Sequence, residues 1–304
     1  MTETPVLLLV FNRPATTRAV FNQIKKAKPS KLFIAADAAR GGIAGEQSLC
    51  EEVKLVVSEI DWPCDVHHLY RTQHLGCKTA VSNAITWFFE QVDEGIILED
   101  DCLPSLSFFS FCTAMLHRYR NEKALFHING NNFQRAMQRG EGSYYYSKYT
   151  HVWGWATWKR AWSQYHLELK DWEIFKESKE YENLFSSAAE NKFWTKKFEK
   201  YHHNPMINNY WSLQWLYACW YYGGMSITSQ KNLVTNIGFG GGTNTKIVLN
   251  HLIIKAEEMA PPYSKPRDQT IDKEADAFTF ANIFKYKGPI LSRIKYHLHR
   301  IFSK

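Results

Sequence analysis

The run Gly95-Ile96-Ile97-Leu98-Glu99-Asp100-Asp101-Cys102-Leu103-Pro104 constrains the fold more than any other stretch of the chain. Apolar residues lead without a break into three consecutive carboxylates, and a proline opens the next element. A short unbroken apolar run of this kind suits a strand buried on both faces of a parallel sheet. Acids at the end of such a strand lie where open α/β sheets bind ligands. Three adjacent negative charges repel one another, so the pattern points to a shared cation and a phosphate-bearing ligand. A solvated acidic turn is the plainer alternative.

The flanking sequence repeats the same rhythm. Val6 to Phe11 reads as a first strand, and Pro14 sits well in the first turn of a helix that turns Val20, Phe21 and Ile24 inward. Lys31 to Ala36 is a second strand, followed by a helix with Leu49, Val53, Val56 and Ile60 on its inner face. Asp65 to Tyr70 reads as a third strand, Lys78 to Phe89 as a third helix and Ile96 to Leu98 as a fourth strand. Alternating strands and helices predict an α/β fold with a mostly parallel, Rossmann-like sheet flanked by helices. Asp37, Arg71 and Asp101 then gather along one rim of that sheet. Neither a phosphate loop of the GxxxxGK[ST] kind nor a GxGxxG fingerprint is present.

Charge narrows the partners. The net charge is +7, and the stretch from Lys285 to Lys304 holds six Lys or Arg and no acid, so the rest of the chain carries only 7 − 6 = +1. That balance argues against a nucleic-acid partner. The six cysteines form no CxxC pair and read as reduced thiols, so zinc is not expected. The acidic start Met1-Thr2-Glu3-Thr4 and the short apolar run after it do not make a signal peptide, and no stretch is long enough to span a bilayer. A cytoplasmic location is expected.

The second half is aromatic. Nine of the eleven tryptophans lie between Trp153 and Trp220. Aromatic faces stack on the C–H faces of sugars, although tryptophan is also a common core residue. Most of these rings are therefore expected in the core, with Trp153, Trp155 and Trp211 lining an acceptor cleft. Met259 to Ala277, charged and holding Pro261, Pro262 and Pro266, reads as a loosely packed linker. Residues 289–304 place Ile290, Leu291, Ile294, Leu298, Ile301 and Phe302 on one helical face, with basic residues over much of the rest. Two readings stay open there: a helix lying on an anionic membrane surface, which would make the protein peripheral to the inner face of the cell membrane, or a helix docked on its own domain.

Five blocks carry a family resemblance: Phe11-Asn12-Arg13-Pro14; Leu75-Gly76-Cys77-Lys78 leading into Trp87-Phe88-Phe89; Ile97-Leu98-Glu99-Asp100-Asp101; Trp153-Gly154-Trp155-Ala156-Thr157-Trp158; and Asn232-Leu233-Val234-Thr235-Asn236-Ile237-Gly238-Phe239-Gly240. With these, the chain resembles a bacterial glycosyltransferase family with the GT-A fold, more distantly related to the Golgi N-acetylglucosaminyltransferase that initiates complex N-glycans. The resemblance implies a nucleotide-sugar-binding half over residues 1–128 and an acceptor-binding half of the same domain over 129–257. A linker over 258–284 and a basic amphipathic tail over 285–304 follow.

It further implies transfer of a hexosyl or N-acetylhexosaminyl group from a nucleotide diphosphate donor, a UDP-sugar, to a hydroxyl of a glycan or lipid-linked glycan. The product would be a surface glycan such as lipopolysaccharide or capsule, formed with inversion. Asp101 is the implied ligand of Mn²⁺ or Mg²⁺, one carboxylate sufficing when diphosphate oxygens and waters complete an octahedron. Asn12, Arg13, Asp37, Arg71, Lys78, Glu99 and Asp100 are the implied donor contacts.

Two departures from the family bear on catalysis. The family's Trp-Asp-Tyr-Gln-Trp block, whose Asp stands at the general-base position, reads here Trp211-Ser212-Leu213-Gln214-Trp215. A serine hydroxyl has no useful basicity near neutral pH. The family's Thr-His-Thr reads here Thr243-Asn244-Thr245. Three readings follow: an active transferase in which another group, such as His151, Glu168, Asp171 or a donor-activated water, removes the acceptor proton; a degenerate protein that binds a sugar nucleotide or glycan without turnover; or a sugar-nucleotide pyrophosphorylase.

Overall fold

The computed structural model describes residues 2–206, 209–238 and 252–285. Its first half follows the expected rhythm: β1 (Val6–Val10), α1 (Pro14–Ala27), β2 (Lys31–Ala36), α2 (Glu46–Val57), β3 (Asp65–Tyr70), α3 (Cys77–Gln91) and β4 (Glu94–Glu99). Pro14 stands in the first turn of α1, where its missing N–H costs nothing. In α2 the inward face is Cys50, Val53, Val56 and Val57, whereas Leu49 is 40% exposed and Ile60 lies past the helix end. The inward face is thus rotated from Leu49 toward Cys50, and it packs Val53, Val56 and Val57 into the core beneath β1 and β2.

Beyond β4 come β5 (Cys102–Pro104), α4 (Leu106–Arg118), β6 (Leu125–Asn129), β7 (Tyr144–Ser147) and β8 (Trp155–Trp158). The short helices α5 (Lys159–Trp162), α6 (Trp172–Phe175) and α7 (Lys179–Asn183) lead to α8 (Ala188–His203) and α9 (Ser212–Tyr221). The described chain finishes with β9 (Met225–Ser229), β10 (Val234–Asn236), α10 (Lys273–Thr279) and a π-helical turn, Phe280–Phe284.

The main sheet has eight strands in the order β3-β2-β1-β4-β8-β6-β9-β7. β3, β2, β1, β4, β6 and β9 run one way, and β8 and β7 run against them. The α/β fold class is therefore as expected, with antiparallel β8 inserted at the middle. The two-residue period of a strand sorts the core onto two faces. Val6, Leu8 and Val10 pack with Val20 and Phe21 of α1, Val53 of α2 and Phe108 of α4. Leu7 and Leu9 pack with Ile85 and Phe88 of α3, and with Trp155, Trp211 and Trp215. Insertion of β8 needs close backbone approach: Gly130 N donates to Gly154 O at 2.9 Å, and a Cβ on Gly130 would lie 2.3 Å from that oxygen.

A third core, wholly in the second half, joins Tyr149, Trp172, Trp194, Phe198, Trp220 and Phe280. Lys148 pins it, its Nζ lying 2.8 Å from Glu190 and donating to Leu184 O at 2.6 Å. Asp276 of α10 accepts from Ser147 and from Lys148 N, and burial raises its carboxyl to about 6 although the Lys148 charge pulls it down.

The stretch 258–272, expected as a loose linker, is fastened instead. Glu258 accepts from Leu106 N and Ser107 N at the start of α4, Tyr263 is buried, and Asp272 N donates to Tyr146 O. Its prolines stop helix and strand but leave side chains and N–H groups free to dock. The Thr243-Asn244-Thr245 element and the tail from residue 286 lie outside the described residues. No helix among those described is long and apolar enough to cross a membrane. Lys148→Ala would leave Glu190 and Asp276 buried without their cation, with an expected loss of about 3–5 kcal/mol in urea unfolding at pH 7; a loss below about 1 kcal/mol would show that the pair carries little of this core's stability.

Candidate functional site

Strand register builds the rim. Val10 of β1 pairs with Ala36 of β2, and Ala36 pairs with Tyr70 of β3, so Phe11, Asp37 and Arg71 leave their strands at one level. Leu9 pairs with Glu99, which brings the acidic turn alongside. These strand ends open on a cavity of about 520 Å³. On the side of the strand ends lie Asn12, Arg13, Asp37, Arg71, Glu99, Asp100 and Asp101, and on the other side lie Val152, Trp153, Tyr210, Trp211 and Ser212. The sheet thus gathers most of the expected site residues.

The acidic turn is held by Arg13. Its Nε donates to Asp100 Oδ2 at 3.3 Å, Nη2 donates to Asp100 Oδ1, and Nη1 donates to Asp101 Oδ2 at 2.9 Å. Burial opposes charge on Arg13, but the Coulombic pull and hydrogen bonds of the two aspartates outweigh it and raise its pKa. Burial raises Asp100, and Arg13 only partly offsets this. Burial and then the charges of Asp101 and Asp100 raise Glu99 above the usual carboxylate range. The Glu99 side chain has no hydrogen-bond or ion-pair partner among the described residues, so it is a free polar group facing the cavity.

Antiparallel pairing of β10 with β5 brings Gly238 over the turn, and Ile237 N donates to Asp101 O at 2.8 Å. A Cβ on Gly238 would lie 2.2 Å from Asp101 Oδ2 and 2.7 Å from Arg13 Nη1, so a side chain there would push on the Arg13–Asp101 pair. The other Asp101 oxygen, Oδ1, meets the thiol of Cys102 at 3.4 Å, a weak donor. That oxygen and the excess of carboxylates over arginine suit a divalent cation. Among the described residues, no group of three or more His, Cys, Asp or Glu is arranged to hold a metal. Asp101 would hold the ion only with ligand oxygens supplied from outside.

Asp37 clamps two loops together. Its Oδ1 accepts from Ala38 N and Leu75 N at 3.0 Å, its Oδ2 accepts from Gly76 N at 3.0 Å, and His74 Nδ1 lies 3.0 Å away. The carboxylate ties the loop after β3 to the end of β2. Beside it, Glu46 accepts from Asn12 Nδ2 at 2.7 Å, from Arg40 N at 2.7 Å and from the Arg40 guanidinium. Glu46 was not singled out by the sequence, since an acid at a helix start reads as an ordinary dipole partner. Asn12 therefore lines the cavity with its amide engaged. Arg71 has no side-chain partner among the described residues.

Other expectations change. Lys78 is not in the cavity: its Nζ donates to Pro205 O at 2.8 Å and lies 5.6 Å from the Tyr201 ring centre. Its backbone N and Asn209 Oδ1 are 3.4 Å apart, which fastens the loop carrying Tyr210 and Trp211 to the start of α3. Trp155 is 0% exposed and does not line the cavity. It stacks on Trp211 and His127 under α9, because its position on β8 points into the sheet's covered face.

Ser212 is the first residue of α9 and faces the cavity. The alternative bases do not. His151 is packed edge-on against Phe133, and burial lowers its pKa to about 3. Glu168 and Asp171 are exposed elsewhere, and Asp171 accepts from Tyr221.

No family model and no curated protein matches this chain. Among solved structures it is similar to mouse xyloside xylosyltransferase 1 in its apo form, at 11% identity, over 71% of this chain and 81% of that one, with a TM-score of 0.32. It is also similar to an apo UDP-glucose pyrophosphorylase, at 8% identity over 77% and 93% of the two chains, TM-score 0.38. GlyE of Streptococcus pneumoniae TIGR4 is similar at 11% identity over 70% of this chain and 42% of its own, TM-score 0.28.

Glu46 lends itself to a stability measurement. Hydrogen bonds from Arg40, opposed by burial and helped by Asn12, hold its carboxyl down at about 2. A depressed folded pKa gives stability that is present above the unfolded value of about 4.5 and lost as pH falls through about 2. Glu46→Gln is expected to cost about 1–2 kcal/mol at pH 7, discounted because Arg40 is partly exposed. The gap between wild type and variant should narrow from pH 4.5 downward in urea titrations; a gap independent of pH would contradict the assignment.

Proposed function

We propose that this protein is a glycosyltransferase that moves a hexosyl or N-acetylhexosaminyl group from a UDP-sugar to a hydroxyl of a surface glycan or lipid-linked glycan, with inversion. One observation carries the reading: a single cavity joins Glu99, Asp100, Asp101, Arg13 and Arg71 at the carboxyl ends of parallel strands to the aromatic wall of Trp153, Tyr210 and Trp211. Cations and a metal-binding acid suit a diphosphate. A wall of aromatic faces with an amide and a hydroxyl beside it, Asn209 and Ser212, suits a sugar ring.

In this reading Arg71 reaches the diphosphate and Glu99 hydrogen-bonds a hydroxyl of the donor sugar or ribose. Asp37 shapes the loop beneath the nucleoside, and Asp101 holds Mn²⁺ or Mg²⁺. When bound, the ion stabilises the negative charge that develops on the departing nucleoside diphosphate. The aromatic wall orients the acceptor so that its hydroxyl attacks the anomeric carbon opposite the leaving group. The acceptor wall, among its described lining residues, carries no carboxylate. That observation favours a second reading, in which the chain binds a sugar nucleotide but does not turn it over.

A thermal-shift screen of UDP-sugars with and without Mn²⁺, paired with an assay of UDP release, separates these readings. Transfer predicts stabilisation and acceptor-dependent UDP release; the binding-only reading predicts stabilisation alone. No stabilisation by any nucleotide sugar would overturn both. Asp101→Asn is expected to weaken Mn²⁺-dependent UDP binding roughly tenfold or more, and unchanged affinity would sink the metal assignment. Ser212→Asp places a carboxylate at the family's base position. If Ser212 marks a lost base, the substitution should raise UDP release by roughly 10²-fold, and no gain means that proton removal does not depend on this position.

A further inference from the structure

Arg13 occupies the carboxylates that the proposed reaction needs. Its guanidinium forks across both acids, with Nε and Nη2 on Asp100 and Nη1 on Asp101 Oδ2 at 2.9 Å. The Gly238 backbone closes the space over that contact, since a Cβ there would meet both Asp101 Oδ2 and Arg13 Nη1. The oxygen left for coordination is Oδ1, which holds only the weak Cys102 thiol contact. An ion bound there shares one carboxylate with a fixed positive charge. Arg13 cannot step aside by losing its proton, because an arginine guanidinium stays protonated in proteins. The two cations therefore repel across Asp101 in a site that water screens poorly.

We propose that Arg13 is an internal competitor of the divalent cation. It compensates Asp100 and Asp101 while no nucleotide is bound and lowers the affinity of Asp101 for metal alone, so that metal and diphosphate enter together. This inference rests on the reading of Asp101 as the metal ligand. A diphosphate brings both coordinating oxygens and negative charge, which offsets the Arg13 repulsion. Binding of metal and nucleotide is then cooperative, and by linkage each tightens the other by the same factor. Arg13 is a positioning residue here: it sets the charge and the placement of Asp101 and contacts no reacting atom.

The test is calorimetric titration of Mn²⁺ alone, UDP alone, and Mn²⁺ in saturating UDP, on wild type, Arg13→Gln, Arg13→Met and Asp101→Asn. The two uncharged variants of Arg13 are expected to bind Mn²⁺ alone roughly tenfold or more tightly than wild type. Their Mn²⁺–UDP coupling should shrink by a similar factor. Circular dichroism shows which of the two is folded, and either suffices. If Mn²⁺ binds wild type with UDP and is lost in Asp101→Asn, yet the Arg13 variants bind Mn²⁺ alone no more tightly than wild type, the competition is overturned and the metal assignment stands. If UDP binds wild type equally well with and without Mn²⁺, and Asp101→Asn changes nothing, the metal assignment fails and the competition fails with it. If UDP does not bind at all, the nucleotide-sugar reading itself is wrong.

Discussion

Three consecutive carboxylates at the mouth of a buried strand need a fixed cation, and Arg13 meets that need from the adjacent strand end. The ion pair reaches Asp100, which is almost fully buried, so neither partner can be removed without leaving a charge in a poorly solvated place. Its consequences spread outward. It sets the mutual position of the β1–α1 and β4–β5 turns, and it explains why the β10 ribbon approaches with a glycine, since Gly238 packs on the paired atoms themselves.

Around this pair the loops are organised by carboxylates used as internal clamps. Asp37 collects backbone N–H groups from two loops, and Glu46 collects an amide, a backbone N–H and a guanidinium. A carboxylate that accepts several N–H bonds fixes loop geometry more firmly than apolar contact does, because each bond has a direction. Few of the cavity's polar groups remain available as a result. Glu99 and Arg71, with no partner among the described residues, are the strongest candidates to meet a ligand.

The second half solves a different problem. Its tryptophans fill the space between sheet and helices, and their indole N–H groups are mostly placed on acceptors: Trp158 on Leu116 O, Trp220 on Lys148 O, and Trp215 on His127 Nδ1. The last of these bonds fixes the His127 tautomer, leaving Nε2–H to donate to His151 O, and burial keeps the ring neutral by lowering its pKa to about 3. With both ring nitrogens engaged, His127 is withdrawn from proton transfer. The cavity wall opposite the acidic turn is aromatic, and Ser212 on it stands where the resemblance implies a base.

Local pattern determined the sheet-forming segments. Buried runs such as Val6–Val10 and Lys31–Ala36, the proline that opens α1, and the acids that end β4 are each legible from neighbours a few residues away. The gathering of Asp37, Arg71 and Asp101 on one rim follows from that rhythm as well, because parallel strands put all their carboxyl ends on one side. What the sequence could not state was which atoms each side chain meets. Lys78 turned to Pro205, Trp155 went under α9, Glu46 became a clamp, and residues 258–272 docked on α4 and β7. Those outcomes depend on contacts between residues up to about 150 positions apart, such as Glu258 with Leu106. Only the tertiary structure decides them, because a hydrogen bond or a packed ring is selected by three-dimensional proximity and not by local period.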